Sequence, residues 1–144
     1  MSRKKSCANL FIGFLLCNII IACDPGFSAK ISNKTDEDII VKLQYDKNTL
    51  KEIWEEQSYI PYIKTILQNG GTLMKLDTIN LIAEIKLIPT ESFIVQAGIG
   101  KRPSFDKVRK ISIFGKDSII LDTKDKMLDV FESVGMYVYE LEIK

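Results

Sequence analysis

The sequence predicts a mainly β protein: an antiparallel β-sandwich-like domain, with an immunoglobulin-like arrangement among the forms open to it, carrying two short helices. Three observations lead there. Apolar and polar residues alternate with period two over several short runs, turn-forming residues separate those runs, and only two segments show a helical period. Successive side chains on a strand point to opposite faces, so each alternating run presents one oily and one wet face. Many short strands of this kind bury their oily faces best as two packed sheets.

The first two runs place Phe27, Ala29 and Ile31, then Ile39, Val41, Leu43 and Tyr45, on one face each. The polar stretch "NKTDE" from Asn33 to Glu37 between them reads as a hairpin turn. A helix is expected next. Thr49 and Glu52 have capping-box spacing, Leu50, Ile53, Trp54 and Gln57 follow at helical intervals, and Pro61 discourages continuation.

For the stretch from Tyr59 to Leu76, the favoured reading is a hairpin turned at Asn69-Gly70-Gly71, residues suited to positive φ. The other reading continues the first helix with a kink at Pro61. Ile79, Leu81, Ala83, Ile85 and Leu87 alternate until Pro89, and Phe93, Val95, Ala97 and Ile99 make the next run. "KISIF", the turn "GKD" and "SIILD" read as a second hairpin. After Asp122-Thr123 a second helix is expected, with Met127, Val130, Phe131 and Val134 on one face and Gly135 as its stop. Tyr137, Tyr139, Leu141 and Ile143 alternate in a closing strand.

Ahead of all this lie a basic leader, Arg3, Lys4 and Lys5, and an oily run from Ala8 to Ala22. A membrane-spanning helix needs about 20 apolar residues, so this run is short for a span and has the layout of an export signal. The run ends Ile20-Ile21-Ala22-Cys23, followed by the turn residues Asp24-Pro25-Gly26. This resembles the lipobox of bacterial lipoproteins, with Ile where Leu is commonest, and the resemblance covers about the first 24 residues. It implies cleavage between Ala22 and Cys23, lipidation of the Cys23 sulfur, and fatty chains that hold residues 23–144, of a length usual for a single domain, to a membrane. The partner so implied is membrane lipid, and the location is the cell envelope, on a periplasmic or cell-surface face. Asp24 would favour the inner membrane under the sorting rule of enteric bacteria. Other lineages sort differently, so the leaflet stays open.

On that reading 122 of the 144 residues remain, enough to bury a core. The leader removes three of the 20 basic residues and none of the 19 acidic ones, leaving a formal charge of about −2. Such a balance does not suit a nucleic-acid binder. Cys7 and Cys17 lie in the discarded piece, so no disulfide is expected in the domain. The chain has no His, which excludes Cys/His zinc sites and His-based triads. No cofactor is implied.

Candidate functional residues are few. "GIGKRPS", from Gly98 to Ser104, departs from both the P-loop and the dinucleotide-loop patterns and reads as a glycine-relaxed turn. Lys101, Arg102, Lys107, Arg109 and Lys110 face one acid, Asp106, and could touch anionic headgroups or an acidic partner. The plainer reading is a solvated loop and the wet face of a strand. Glu52, Glu55 and Glu56 could supply an acid–base pair only if buried, and they read as a solvated helix face. Trp54, Tyr59 and Tyr62 read as core or rim, with a ligand groove as the functional alternative. Asn33-Lys34-Thr35 fits the N-glycosylation pattern, and Asp77-Thr78-Ile79 and Asp117-Ser118-Ile119 fit a short O-glycosylation one.

Three function classes follow. The first is a non-catalytic binding or envelope-associated lipoprotein. The second is an inhibitor or immunity-type protein that blocks a protein partner, and the last a carboxylate-based hydrolase.

Overall fold

A computed structural model describes residues 25–54 and 58–144. Nine strands form two sheets among the described residues. β1 (Gly26–Asn33), β5 (Ser92–Ile99), β8 (Glu132–Gly135) and β9 (Val138–Ile143) lie in the order β5-β1-β9-β8. β2 (Ile39–Tyr45), β3 (Thr72–Asp77), β4 (Ile82–Leu87), β6 (Val108–Phe114) and β7 (Ser118–Leu121) lie in the order β3-β4-β2-β6-β7. Neighbours are antiparallel except β1 and β9, which run parallel. The expected mainly β, sandwich-like class is borne out. The two inner faces meet through side chains that the period-two pattern selects, among them Ala29, Ile31, Val41, Leu43, Ala83, Ile85, Ile111 and Ile113.

The first predicted hairpin is not one. β1 and β2 belong to different sheets, and Asn33 turns the chain from one to the other. Its buried side-chain amide donates to the carbonyls of Glu37 at 2.8 Å and Leu87 at 3.0 Å, while its Oδ1 accepts from the N–H and hydroxyl of Thr35. A buried backbone corner must have its polar groups met, and Asn33 supplies that service. The same bonds remove its amide as a glycan acceptor in the folded protein. The predicted second hairpin, β6–β7, forms with Ile111 opposite Leu121.

Three helices are described rather than two: α1 (Lys47–Ile53), α2 (Tyr59–Ile66) and α3 (Lys124–Val130). Asp46, not Thr49, caps α1, accepting from the Thr49 N–H at 2.9 Å. The Tyr59–Leu76 stretch is a helix followed by a strand, so the hairpin reading is overturned. Pro61 falls in the first turn of α2, where a missing N–H costs nothing. Asn69-Gly70-Gly71 still turns the chain, with Gly70 at φ 105 and Gly71 at φ 66, but it joins α2 to β3. α3 starts at its Thr123 cap and ends earlier than expected. Phe131 is its extended C-cap, and Val134 lies in β8, which finds its backbone partners on β9.

Two bulges decide what faces water near the candidate basic run. In β5 the register steps from Gln96 opposite Ala29 to Ile94 opposite Lys30, leaving Val95 as an extra residue. An extra residue resets the alternation. Gln96 therefore turns inward, and Ala97 and Ile99 turn to solvent, contrary to the simple period. In β6 the register steps from Lys110 opposite Gln44 to Val108 opposite Tyr45, which lets Val108 point inward and puts Arg109 in water.

Candidate functional site

Cys23 and Ala22, the predicted lipidation and cleavage residues, lie outside the described residues, as do Glu55 and Glu56 of the acidic cluster. Glu52 is exposed on α1. The basic run is described in full, and the fold spreads it over three places.

Lys101 and Arg102 stand exposed in the loop that leaves β5. Gly100, at φ 129, makes that turn, and its N–H donates to the Pro25 carbonyl at 2.7 Å. The Tyr139 hydroxyl donates to the Lys101 carbonyl at 3.0 Å, so the loop is held at both edges of β1. Its return is fixed by Phe105, a fully buried residue at φ 53 whose N–H donates to the Gln96 side chain at 3.0 Å. Phe105 also meets Phe131, with ring centroids 4.9 Å apart.

Lys107 folds back onto two aromatic rings. Trp54, just after α1, and Tyr62, on α2, stack with centroids 4.6 Å apart. The Lys107 ammonium sits 4.6 Å from the first centroid and 4.8 Å from the second. Burial pushes its pKa below the ordinary lysine value, against the opposing pull of Asp106. Asp106 itself pairs with Lys124 of α3 and is held below the usual carboxylate range by Lys124 and then Ser104. Tyr59 is buried in the core, whereas Trp54 and Tyr62 are half-buried on its rim. Beneath them the buried Tyr45 hydroxyl has no hydrogen-bond partner, and burial raises its pKa, as it does that of Tyr62. The sequence suggested the Trp54 and Tyr62 rim but not its pairing with Lys107, because the partners are more than 40 residues apart.

Lys110 lies on the outer face of the five-stranded sheet, around a shallow hollow with Lys42, Gln44, Ile82, Ser112 and Phe114. Lys42 is already paired with Glu84 at 3.1 Å. A second hollow at the opposite end of the strands is walled by Lys34, Thr35, Asp36, Glu37, Lys116 and Lys144. Small-molecule sites are mostly apolar with a few polar groups, whereas charged and polar side chains predominate among the residues around both hollows.

A further cluster was not anticipated. Glu140 on β9 is 8% exposed, accepts from the Ser32 hydroxyl and pairs with Lys30 at 3.1 Å. It holds a serine, a carboxylate and a lysine together, as some hydrolytic sites do. The geometry serves a different end. Ser32 gives its proton's bond to a carboxylate kept below its ordinary pKa by that bond first, so the carboxylate is a weak base. Lys30 likewise bonds Glu140 and not Ser32. The cluster ties the parallel β1–β9 pair. Among the described residues no group of three or more His, Cys, Asp or Glu is gathered as metal ligands would be. No described helix is long and apolar enough to cross a membrane.

Comparison of the chain with protein-family models, curated proteins and solved structures finds no match.

Proposed function

We propose that this protein is a bacterial lipoprotein: a β-sandwich-like domain, residues 23–144, anchored through fatty chains on Cys23 in the cell envelope and acting there as a non-catalytic binding module. The carrying observation is the run Ile20-Ile21-Ala22-Cys23 after a basic leader, placed three residues before β1 begins at Gly26. Thiolate sulfur is the side-chain nucleophile suited to a stable thioether, and two or more acyl chains are needed for a lasting hold on a bilayer. The non-catalytic part is supported by the commitments of Glu140, Ser32 and Lys30 to one another.

Intact-mass measurement of the mature protein with membrane fractionation tests this reading. The expected result is a chain starting at Cys23 with a lipid increment, lost together with membrane association in Cys23→Ser. A soluble product with a bare thiol overturns it. The alternative, an inhibitor or immunity-type protein, is supported by β5, an eight-residue strand at the edge of its sheet that could take on a partner's strand. A stoichiometric protein partner recovered from detergent-solubilised membranes would favour it.

A further inference from the structure

Three large apolar side chains are more exposed than any others among the described residues: Met136 at 84%, Ile99 at 78% and Ile79 at 76%. They are far apart in sequence: Ile79 and Met136 sit on turns, and Ile99 is the last residue of β5. The topology nonetheless puts them at one end of the sandwich. At the far end Asn33 connects the finish of β1 to the start of β2, and it bonds the Leu87 carbonyl at the finish of β4. The near end therefore holds the start of β1 and β9, the finish of β5 and β2, and the turn from β3 into β4. Ile79 and Met136 occupy near-end turns and Ile99 ends β5 there, with Lys101 and Arg102 just beyond it.

The near end is also where the chain enters the fold. Pro25 accepts from the Gly100 N–H at 2.7 Å, and Cys23 is two residues before Pro25, a reach of about 7 Å at full extension. A lipid on that sulfur would bring this end, and no other, against the headgroups. Protruding apolar tips beside cations match a fluid surface that is oily beneath and anionic on top.

We propose that this end of the sandwich docks on an anionic lipid bilayer, with Ile79, Ile99 and Met136 entering the interface and Lys101 and Arg102 meeting the headgroups, so that the strands stand upright on the membrane. The proposal rests on lipidation of Cys23. It goes beyond that reading in fixing the domain's orientation. The far end, with Lys116, would then stand about 25 Å above the surface, the length of an eight-residue strand.

The test uses the lipidated protein purified from membranes and reconstituted in vesicles of phosphatidylcholine and phosphatidylglycerol with brominated acyl chains. In a Trp54→Phe background, Met136→Trp is expected to be quenched several-fold more than Lys116→Trp. Lys101→Glu with Arg102→Glu should reduce that quenching, as should pure phosphatidylcholine. Hydrogen exchange on the unsubstituted protein provides a readout independent of these variants. Segments 99–102 and 135–138 should exchange more slowly on vesicles than in detergent. Protein that floats with the vesicles but shows equal quenching at both positions, and no such slowing, overturns the docking while leaving the tether intact. Protein without lipid mass that fails to float overturns both. Concentration-dependent protection of the same segments in detergent would assign the patch to a second copy and overturn the lipid occupant.

Discussion

The Ser32 hydroxyl donates to the Glu140 carboxylate across the parallel β1–β9 pair, and Lys30 closes the same carboxylate from its other oxygen at 3.1 Å. A carboxylate with a lower pKa folded than unfolded stabilises the fold fully above the unfolded value, and loses that contribution as pH falls through the folded one. For Glu140 the loss starts below the ordinary 4.5. Glu140→Gln should therefore be less stable than wild type at neutral pH, with the gap narrowing as the solution is acidified. Denaturant midpoints along a pH series check this, and parallel acid limbs would contradict it.

Gln96 is polar, buried and inward-facing, and its side chain is the acceptor for the Phe105 N–H. Gln96→Leu keeps the bulk but orphans that donor, at a cost of about 1–3 kcal/mol. Because Phe105 holds a left-handed backbone at φ 53, the loop carrying Lys101 and Arg102 should loosen as well. Urea denaturation reads the first effect, and faster hydrogen exchange in residues 100–107 the second.

Gly70 cannot accept a side chain. A Cβ there would lie 2.1 Å from the Ser92 carbonyl oxygen, and φ is 105. Gly70→Ala should cost more than about 3 kcal/mol, since both the backbone strain and a clash with backbone must be relieved. Gly26→Ala makes the comparison, with its nearest contact at an ordinary 3.6 Å. Similar melting temperatures for the two variants would be inconsistent with this geometry.

Lys107 presents two opposed effects, attraction of its ammonium to the Trp54 and Tyr62 rings and partial loss of hydration. Their magnitudes are comparable, so Lys107→Met, which keeps the apolar stem, should change stability by less than about 1 kcal/mol. Trp54→Ala removes a half-buried ring and its stack on Tyr62, and should cost roughly 2 kcal/mol. Chemical denaturation of the two variants separates the cases. A larger loss for Lys107→Met would mean that the ammonium dominates.

The sequence exposed most of the core, because residues such as Val41, Leu43, Ala83 and Ile85 need only the period of two to be assigned a face. Its failures were non-local. "NKTDE" has the composition of a hairpin turn, and only the contacts of Asn33 with Glu37, Leu87 and Glu91 make it a passage between sheets. Asn69-Gly70-Gly71 has the residues of a hairpin turn, but the same positive-φ glycines join the helix Tyr59–Ile66 to β3, and Pro61 is tolerated in that helix's first turn. The period of two puts Ile99 on the same face as Phe93, and the bulge at Val95 resets that period. The basic run was legible as composition, but its division among a loop tip, an aromatic rim and a sheet face was not. Glu140 escaped notice for the same reason, since its partners are over a hundred positions away.

β1 is the first strand among the described residues, yet it lies between β5 and β9, one of which is the last. A chain delivered from its N-terminus could zip up the sheet of β2, β3, β4, β6 and β7 while this opening segment still waited for a neighbour. The second layer thus closes on β1 from both sides only once β9, more than a hundred residues further along the chain, is in place.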